Sequence, residues 1–169
     1  MSITYRDATT TDASALAGLF AESFTSTFGH LYAGRDLAAF LAGFTLDRWT
    51  QELADADFAF RIAAMDDVPV GYAKLGPPAL PIERRAPAIE LRQLYLLDAA
   101  KGLGVAQALM DWTFATARSR GAAELWLSVY HENIRARRLY ERYGFEDVGP
   151  YAFMVGSHAD QDRLMRLVL

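Results

Sequence analysis

The sequence predicts an α/β domain on a mixed sheet of about seven strands flanked by helices, and three observations carry that prediction. Stretches that alternate apolar and polar residues, as strands do, are interleaved with stretches whose apolar residues recur at i, i+3, i+4 and i+7. One strand runs straight into a glycine turn that opens a helix, which is the joint of an α/β plan. The third observation is size: 169 residues, 52% apolar and 22% charged, suit one compact domain spanning 1–169 and exclude a disordered chain.

In chain order, Ile3 and Tyr5 mark a short strand, and Thr11-Asp12 caps a helix carrying Leu16, Leu19, Phe20 and Phe24. Asp36 to Leu53 reads as one or two further helices broken near Gly43 to Thr45. Phe58, Phe60, Ile62 and Ala64 alternate, Asp66-Asp67 turns the chain, and Val68 to Leu75 returns as a hairpin. Residues 76–88 hold Pro77, Pro78, Pro81 and Pro87 and form an extended loop. Ile89 to Leu97 is a central strand and enters the turn Asp98 to Gly104, after which Val105, Ala108, Leu109 and Trp112 keep helical spacing. Gly121 stops that helix. Leu125 to Val129 is the next strand, Asn133 caps a helix with Ala136, Leu139, Tyr140 and Tyr143 on one face, and Gly144 closes it. Phe145 to Val155 and Arg163 to Leu169 complete the sheet as a pair of strands around a turn at Gly156 to Asp160.

Composition excludes several functions. There is no cysteine, so there is no disulfide, thiolate metal site or thiol nucleophile. His30, His131 and His158 are too far apart for a short metal motif, and no metal is expected. No apolar stretch approaches the roughly 18 residues of a membrane span, and Met1 to Asp7 lacks the basic start and apolar run of a signal peptide; a cytoplasmic location without membrane partners is expected. A net charge of -4 argues against nucleic acid. The charge is divided unevenly: residues 1–80 carry 10 acids and 5 bases, residues 81–169 carry 11 acids and 12 bases. If the halves line opposite sides of a cleft, the first favours a cationic ligand and the second an anionic one.

Two clusters can carry chemistry. Lys101-Gly102-Leu103-Gly104-Val105-Ala106 opens a helix after a strand and gathers free backbone N–H groups at a positive dipole end, where phosphate binds. Glycine at 102 and 104 lets the backbone approach an anion. The segment fits neither the P-loop, for want of Gly-Lys-Ser/Thr, nor the dinucleotide fingerprint, because position 107 is Gln. Further on, Asn133 and Tyr140 are seven apart, two turns along one helix face.

Leu94-Tyr95-Leu96 followed by the Lys101 to Ala106 turn resembles the Arg/Gln-x-x-Gly-x-Gly/Ala cofactor motif of GCN5-related N-acetyltransferases, the GNAT superfamily. Asn-x-x-Ala-x-x-Leu-Tyr-x-x-x-Gly-Phe at 133–145 is similar to that family's next motif. Lys101 stands at the usual Arg or Gln position. Phe24 to Phe28, Leu125 to Tyr130 with Asn133, and the tail residues Phe153, Gly156, Asp162 and Met165 look like the bacterial spermidine/spermine acetyltransferase branch. The resemblance implies the acyl-CoA N-acyltransferase fold and transfer of acetyl from acetyl-CoA to a primary amine of a small cationic acceptor such as a polyamine. The alternatives are a peptide or protein amine, or a CoA-binding sensor without turnover. A homodimer is compatible with the family.

The resemblance also implies site residues. Leu94, Tyr95 and Leu96 would pair with the pantetheine arm, with the Leu96 N–H on the thioester carbonyl. Lys101, Gly102, Leu103, Gly104, Val105, Ala106 and Gln107 would hold the pyrophosphate, with Asn133 and Tyr140 completing the cofactor site. Tyr140 would be the general acid, and Glu90, acting through a water, the general base. Arg135, Arg137, Arg138 and Arg142 form a basic helix surface, either a grip for the 3′-phosphate or a solvated face. Phe28, Tyr32, Phe44 and Trp49 lie where similar proteins build the acceptor wall, or else in the core.

Overall fold

A computed structural model describes residues 2–83 and 85–169. Seven strands and five α-helices follow in the order β1 (Ile3–Asp7), α1 (Ala13–Phe28), α2 (Gly34–Ala42), α3 (Leu46–Ala54), β2 (Ala59–Met65), β3 (Val68–Gly76), β4 (Ala88–Leu96), α4 (Val105–Ser119), β5 (Glu124–Tyr130), α5 (Ile134–Arg142), β6 (Glu146–Val155) and β7 (His158–Val168). Arg84 of the proline-rich loop lies outside the described residues.

The strands form one sheet in the order β1-β2-β3-β4-β5-β7-β6. Every neighbouring pair is antiparallel except β4 and β5. The expected mixed α/β sheet of seven strands is therefore present, with β7 inserted between β5 and the edge strand β6. Two apolar layers clamp it. On one face α4 lays Val105, Leu109, Met110 and Ala117, a stripe at helical spacing, against Ala73, Leu125, Leu127 and Met165. On the other, Leu16, Leu19, Phe20 and Phe24 of α1 and Trp49 of α3 cover Ile62, Tyr72 and Val155. Among the described residues no helix is long and apolar enough to cross a membrane.

Local chemistry sets the element ends. Thr45 Oγ1 accepts from the Arg48 N–H at 3.2 Å at the start of α3, and Asn133 Oδ1 accepts from the Ala136 N–H at 3.2 Å at the start of α5. The start of the first helix differs from expectation. A 3-10 turn over Thr10–Asp12 precedes α1, and Asp12 reaches back to the Thr9 N–H at 2.8 Å while Arg6 clamps both its oxygens; these donors hold its carboxyl down at about 2. The last turn also differs. The chain reverses at Gly156-Ser157 and β7 already begins at His158, so Asp160 belongs to a strand rather than to a turn.

Candidate active site

The site is made by a fork in the sheet. The parallel strands β4 and β5 are matched only over Ala88, Ile89 and Glu90 against Glu124, Leu125 and Trp126. Past that point β4 carries a bulge at Arg92, between the pairs Lys74 with Gln93 and Leu75 with Leu91, and a bulge turns its strand aside. A cavity of about 1000 Å³ fills the gap. The Leu97 N–H bonds the Val70 carbonyl of β3 at 2.8 Å, so strand alternation aims the backbone groups of Leu94 and Leu96 the other way, toward the gap. Ser23 Oγ of α1 donates to the Leu96 carbonyl at 3.2 Å.

The glycine turn opens on the same cavity. Gly102 and Gly104 both have φ +79, with no atom within 4 Å of an added Cβ, so glycine serves the left-handed backbone there rather than crowding. The first helical bond of α4 joins the Ala108 N–H to the Gly104 carbonyl at 3.0 Å, which leaves the amides of Val105, Ala106 and Gln107 without partners inside the helix. Lys101, Gly102, Gly104, Val105, Ala106 and Gln107 all line the cavity. Leu103 does not: its side chain faces solvent, 42% exposed. Lys101 is held by Asp98 at 2.5 Å.

Across the gap, Asn133 and Tyr140 of α5 line the cavity together with Arg135, Arg138 and Arg142. The fourth arginine departs from the expected common surface. Arg137 donates to the His131 carbonyl at 3.0 Å and lies 3.7 Å from Asp147, so it ties α5 to its surroundings. Tyr140 is 7% exposed, its hydroxyl has no hydrogen-bond partner among the described residues, and burial pushes its pKa well up. Glu90 is also buried. Its Oε2 accepts from the Ala79 N–H at 2.7 Å and lies 3.7 Å from Arg92. Burial raises its pKa, while the Ala79 N–H and Arg92 oppose the rise.

The cavity continues into an aromatic chamber. Phe24, Phe28, Tyr32, Phe40 and Phe44 from the α1–α2 region face Tyr130, Tyr151 and Phe153 from the sheet; Phe28 meets Tyr130 edge-on at 6.1 Å and Phe40 meets Phe153 at 5.6 Å. Of the four aromatics read as either acceptor wall or core, Trp49 takes the core: it is 1% exposed beneath this wall.

Two carboxylates that the sequence reading left without a role stand here. Asp160 and Asp162 are two apart on β7 and so share a face, and both are buried and line the cavity. Tyr32 donates its hydroxyl to Asp160, and His158 Nε2 lies 3.2 Å from the other oxygen. Asp162 is paired in register with Tyr130 and Tyr151. Its carboxyl is pushed up to about 7, first by burial and then by Asp160, against a hydrogen bond from Ser128. The signal for this pair was the Asp-x-Asp spacing, which the assumed turn hid.

Residues 17–145 match the model of the Acetyltransferase (GNAT) family. An uncharacterised N-acetyltransferase of Mycobacterium tuberculosis is 36% identical over 156 residues, covering 92% of this chain and 96% of that one. The crystal structure of PaiA N-acetyltransferase from Thermoplasma acidophilum in complex with coenzyme A superposes with a TM-score of 0.80 over 100% of both chains at 20% identity. Ribosomal-protein-alanine N-acetyltransferase from Brucella melitensis does so with a TM-score of 0.75 at 24% identity, over 98% of this chain and 99% of that one. The chain therefore belongs to the GNAT family of acetyltransferases, enzymes that move an acetyl group from acetyl-CoA to an amine.

Proposed function

We propose that this enzyme acetylates a primary amine of a small cationic acceptor, a polyamine fitting best, by direct attack in a ternary complex. The observation that carries the reading is the buried Asp160–Asp162 pair at the aromatic end of the cavity. Asp160 lies beside His158 and Asp162 has no ion-pair partner among the described residues, so the pair favours an added cation, and ring faces hold ammonium groups well.

The residues of the fork suit acetyl-CoA. The amides from Gly102 to Gln107 offer a phosphate cradle at the start of α4, and the edge of Leu94 to Leu96 offers backbone groups that β5 leaves unmatched. Asn133 holds the start of α5 in place. Acetyl-CoA supplies the activated acetyl thioester. The Leu96 N–H is placed to polarise a carbonyl. Tyr140, kept protonated by burial, delivers a proton to the departing thiolate. Glu90 at the fork, acting through a water, is the base that the sequence singles out for the ammonium proton.

The test is a comparison of initial rates with spermidine, spermine, a monoamine of similar length, an amino acid and a peptide α-amine. The polyamines should show the higher kcat/KM. That advantage should shrink as added salt brings the Debye length below about 10 Å. Preference for the amino acid or the peptide at low salt overturns the acceptor assignment and leaves acetyl transfer standing.

A further inference from the structure

We propose that Asp162 is the direct proton acceptor for the incoming ammonium, the step that the reading above gives to Glu90. The inference rests on transfer to an amine and concerns which carboxylate serves it.

The two candidates differ in what holds them. Glu90 is engaged by the Ala79 N–H and faces Arg92. Asp162 has no ion-pair partner among the described residues. The groups around it are Asp160 on its own strand, Ser128 and Tyr130 of β5, Tyr95 of β4, Tyr151 of β6 and Tyr32 beyond α1. None of these is a cation. Arg163, next in sequence, is clamped on Asp147 at 2.8 Å, and His158 of the same strand lies against Asp160. Asp162 lines the same cavity as Tyr140 and the Leu94 to Leu96 edge, and its register partners Tyr130 and Tyr151 belong to the aromatic chamber in which an acceptor would sit.

The energetics suit the step. An ordinary alkyl ammonium has a pKa near 10.4, roughly three units above that of Asp162. An acceptor nitrogen desolvated beside the rings of the aromatic chamber has its ammonium pKa lowered. That desolvation narrows the gap between the two groups and eases the transfer. An N–H bond of the ammonium breaks, its proton moves to an Asp162 oxygen, and the freed lone pair forms the bond to the acetyl carbon as the carbon–sulfur bond breaks. Sulfur takes the Tyr140 proton, the nitrogen's second proton restores the phenol, and Asp162 releases its proton to water. The products are the amide, the thiol and one proton.

Asp162→Asn and Glu90→Gln would be compared with the wild type by two readouts. The first is the pH profile of kcat/KM with whichever amine is turned over best. The second is a titration of 13C-labelled aspartate carboxyls followed by NMR, without any acceptor. CoA affinity by calorimetry reports whether each variant keeps its fold. The wild type should show an acid limb near pH 7 and one aspartate titrating there. Asp162→Asn should lose that resonance, lose the limb and fall in kcat/KM by about 10² to 10⁴, while Glu90→Gln keeps the limb. Retention of the limb in Asp162→Asn, or its loss in Glu90→Gln alone, overturns the proposal, and so does a wild-type spectrum with no aspartate titrating above pH 6, whether or not the variant folds. Absence of turnover with every amine would instead overturn the reading on which the proposal rests.

Discussion

Glu90 faces Trp126 in the last matched pair of β4 and β5, and beyond that pair the two strands part. The carboxylate at this branch point also accepts from the Ala79 N–H, so one side chain ties the proline-rich loop to the mouth of the site. Glu90→Gln can still accept that bond, whereas Glu90→Ala loses it, at a cost of roughly 0.5–1.5 kcal/mol. Thermal denaturation should therefore separate the two substitutions, with the alanine variant clearly less stable. Equal melting temperatures would show that the loop does not depend on this bond.

Tyr140 is predicted to act through its hydroxyl alone. Tyr140→Phe keeps the ring packed on Phe145, whose centroid is 5.7 Å away, so CoA affinity should hold while turnover drops by about 10² to 10⁴. Because burial raises the phenol's pKa, it stays protonated across the usual assay range, and the wild type should show no alkaline loss of kcat from this group below its ordinary value of 10.0. Unchanged turnover in the phenylalanine variant would mean that water protonates the thiolate.

Gly104 is predicted to matter for backbone conformation and charge. At φ +79 with open space around it, an added side chain meets strain of about 1–2 kcal/mol rather than a clash. Gly104→Ala should weaken CoA binding about tenfold, and Gly104→Glu further, since it sets a negative charge where phosphate is held. Calorimetry giving wild-type affinity for both variants would remove this turn from the binding site.

The glycine turn, the Asn133 cap and the facing Tyr140 were legible because each rests on local rules: a residue type, a spacing, a helix end. The acidic pair was not, because its meaning is non-local. Asp160 and Asp162 acquire a site only when β7 inserts between β5 and β6 and Tyr32, 128 residues away, closes over Asp160. Lys74 was hidden for the same reason: a lone lysine in an apolar strand reads as an outward-facing residue until Glu52 of α3 is brought beneath it. Trp49 and Phe44 are both aromatic and helical in neighbourhood. Only packing sends the first to the core and the second to the cavity.

Asp162 should cost the protein stability as well as serve it. Its folded carboxyl is raised to about 7 from an ordinary 3.8, so the folded state binds more protons than the unfolded state between those values. Stability from this group is fully present below the lower value and is lost as pH rises through the upper one. Asp162→Asn does not titrate. Its unfolding free energy relative to the wild type should therefore climb from pH 4 to pH 7 and then level off, toward an upper bound of roughly 4 kcal/mol, a trend that melting temperatures follow. A constant difference over that range would show that the carboxyl is not raised.

Lys74 gives the opposite pH signature. It is 1% exposed, bonded to Glu52, and lies 5.3 Å from the Trp49 ring and 5.5 Å from the Phe58 ring; burial lowers its ammonium from 10.5 to about 8 despite that carboxylate. The unfolded chain thus binds more protons between those values, and stability gains from this group as pH rises through them. Glu52→Gln removes the anion that compensates a buried cation and also frees Arg48, which it holds at 3.1 Å. At pH 7 that should cost about 3–5 kcal/mol. The loss should shrink as pH rises toward 8, because Lys74 without its carboxylate gives up its proton more readily than in the wild type, and the double variant with Lys74→Met should recover much of it, because no charge is then left buried. Urea denaturation at pH 7 and pH 9.5 measures both effects, and a Glu52→Gln penalty that is the same at the two pH values would mean that Lys74 is not the group being stranded.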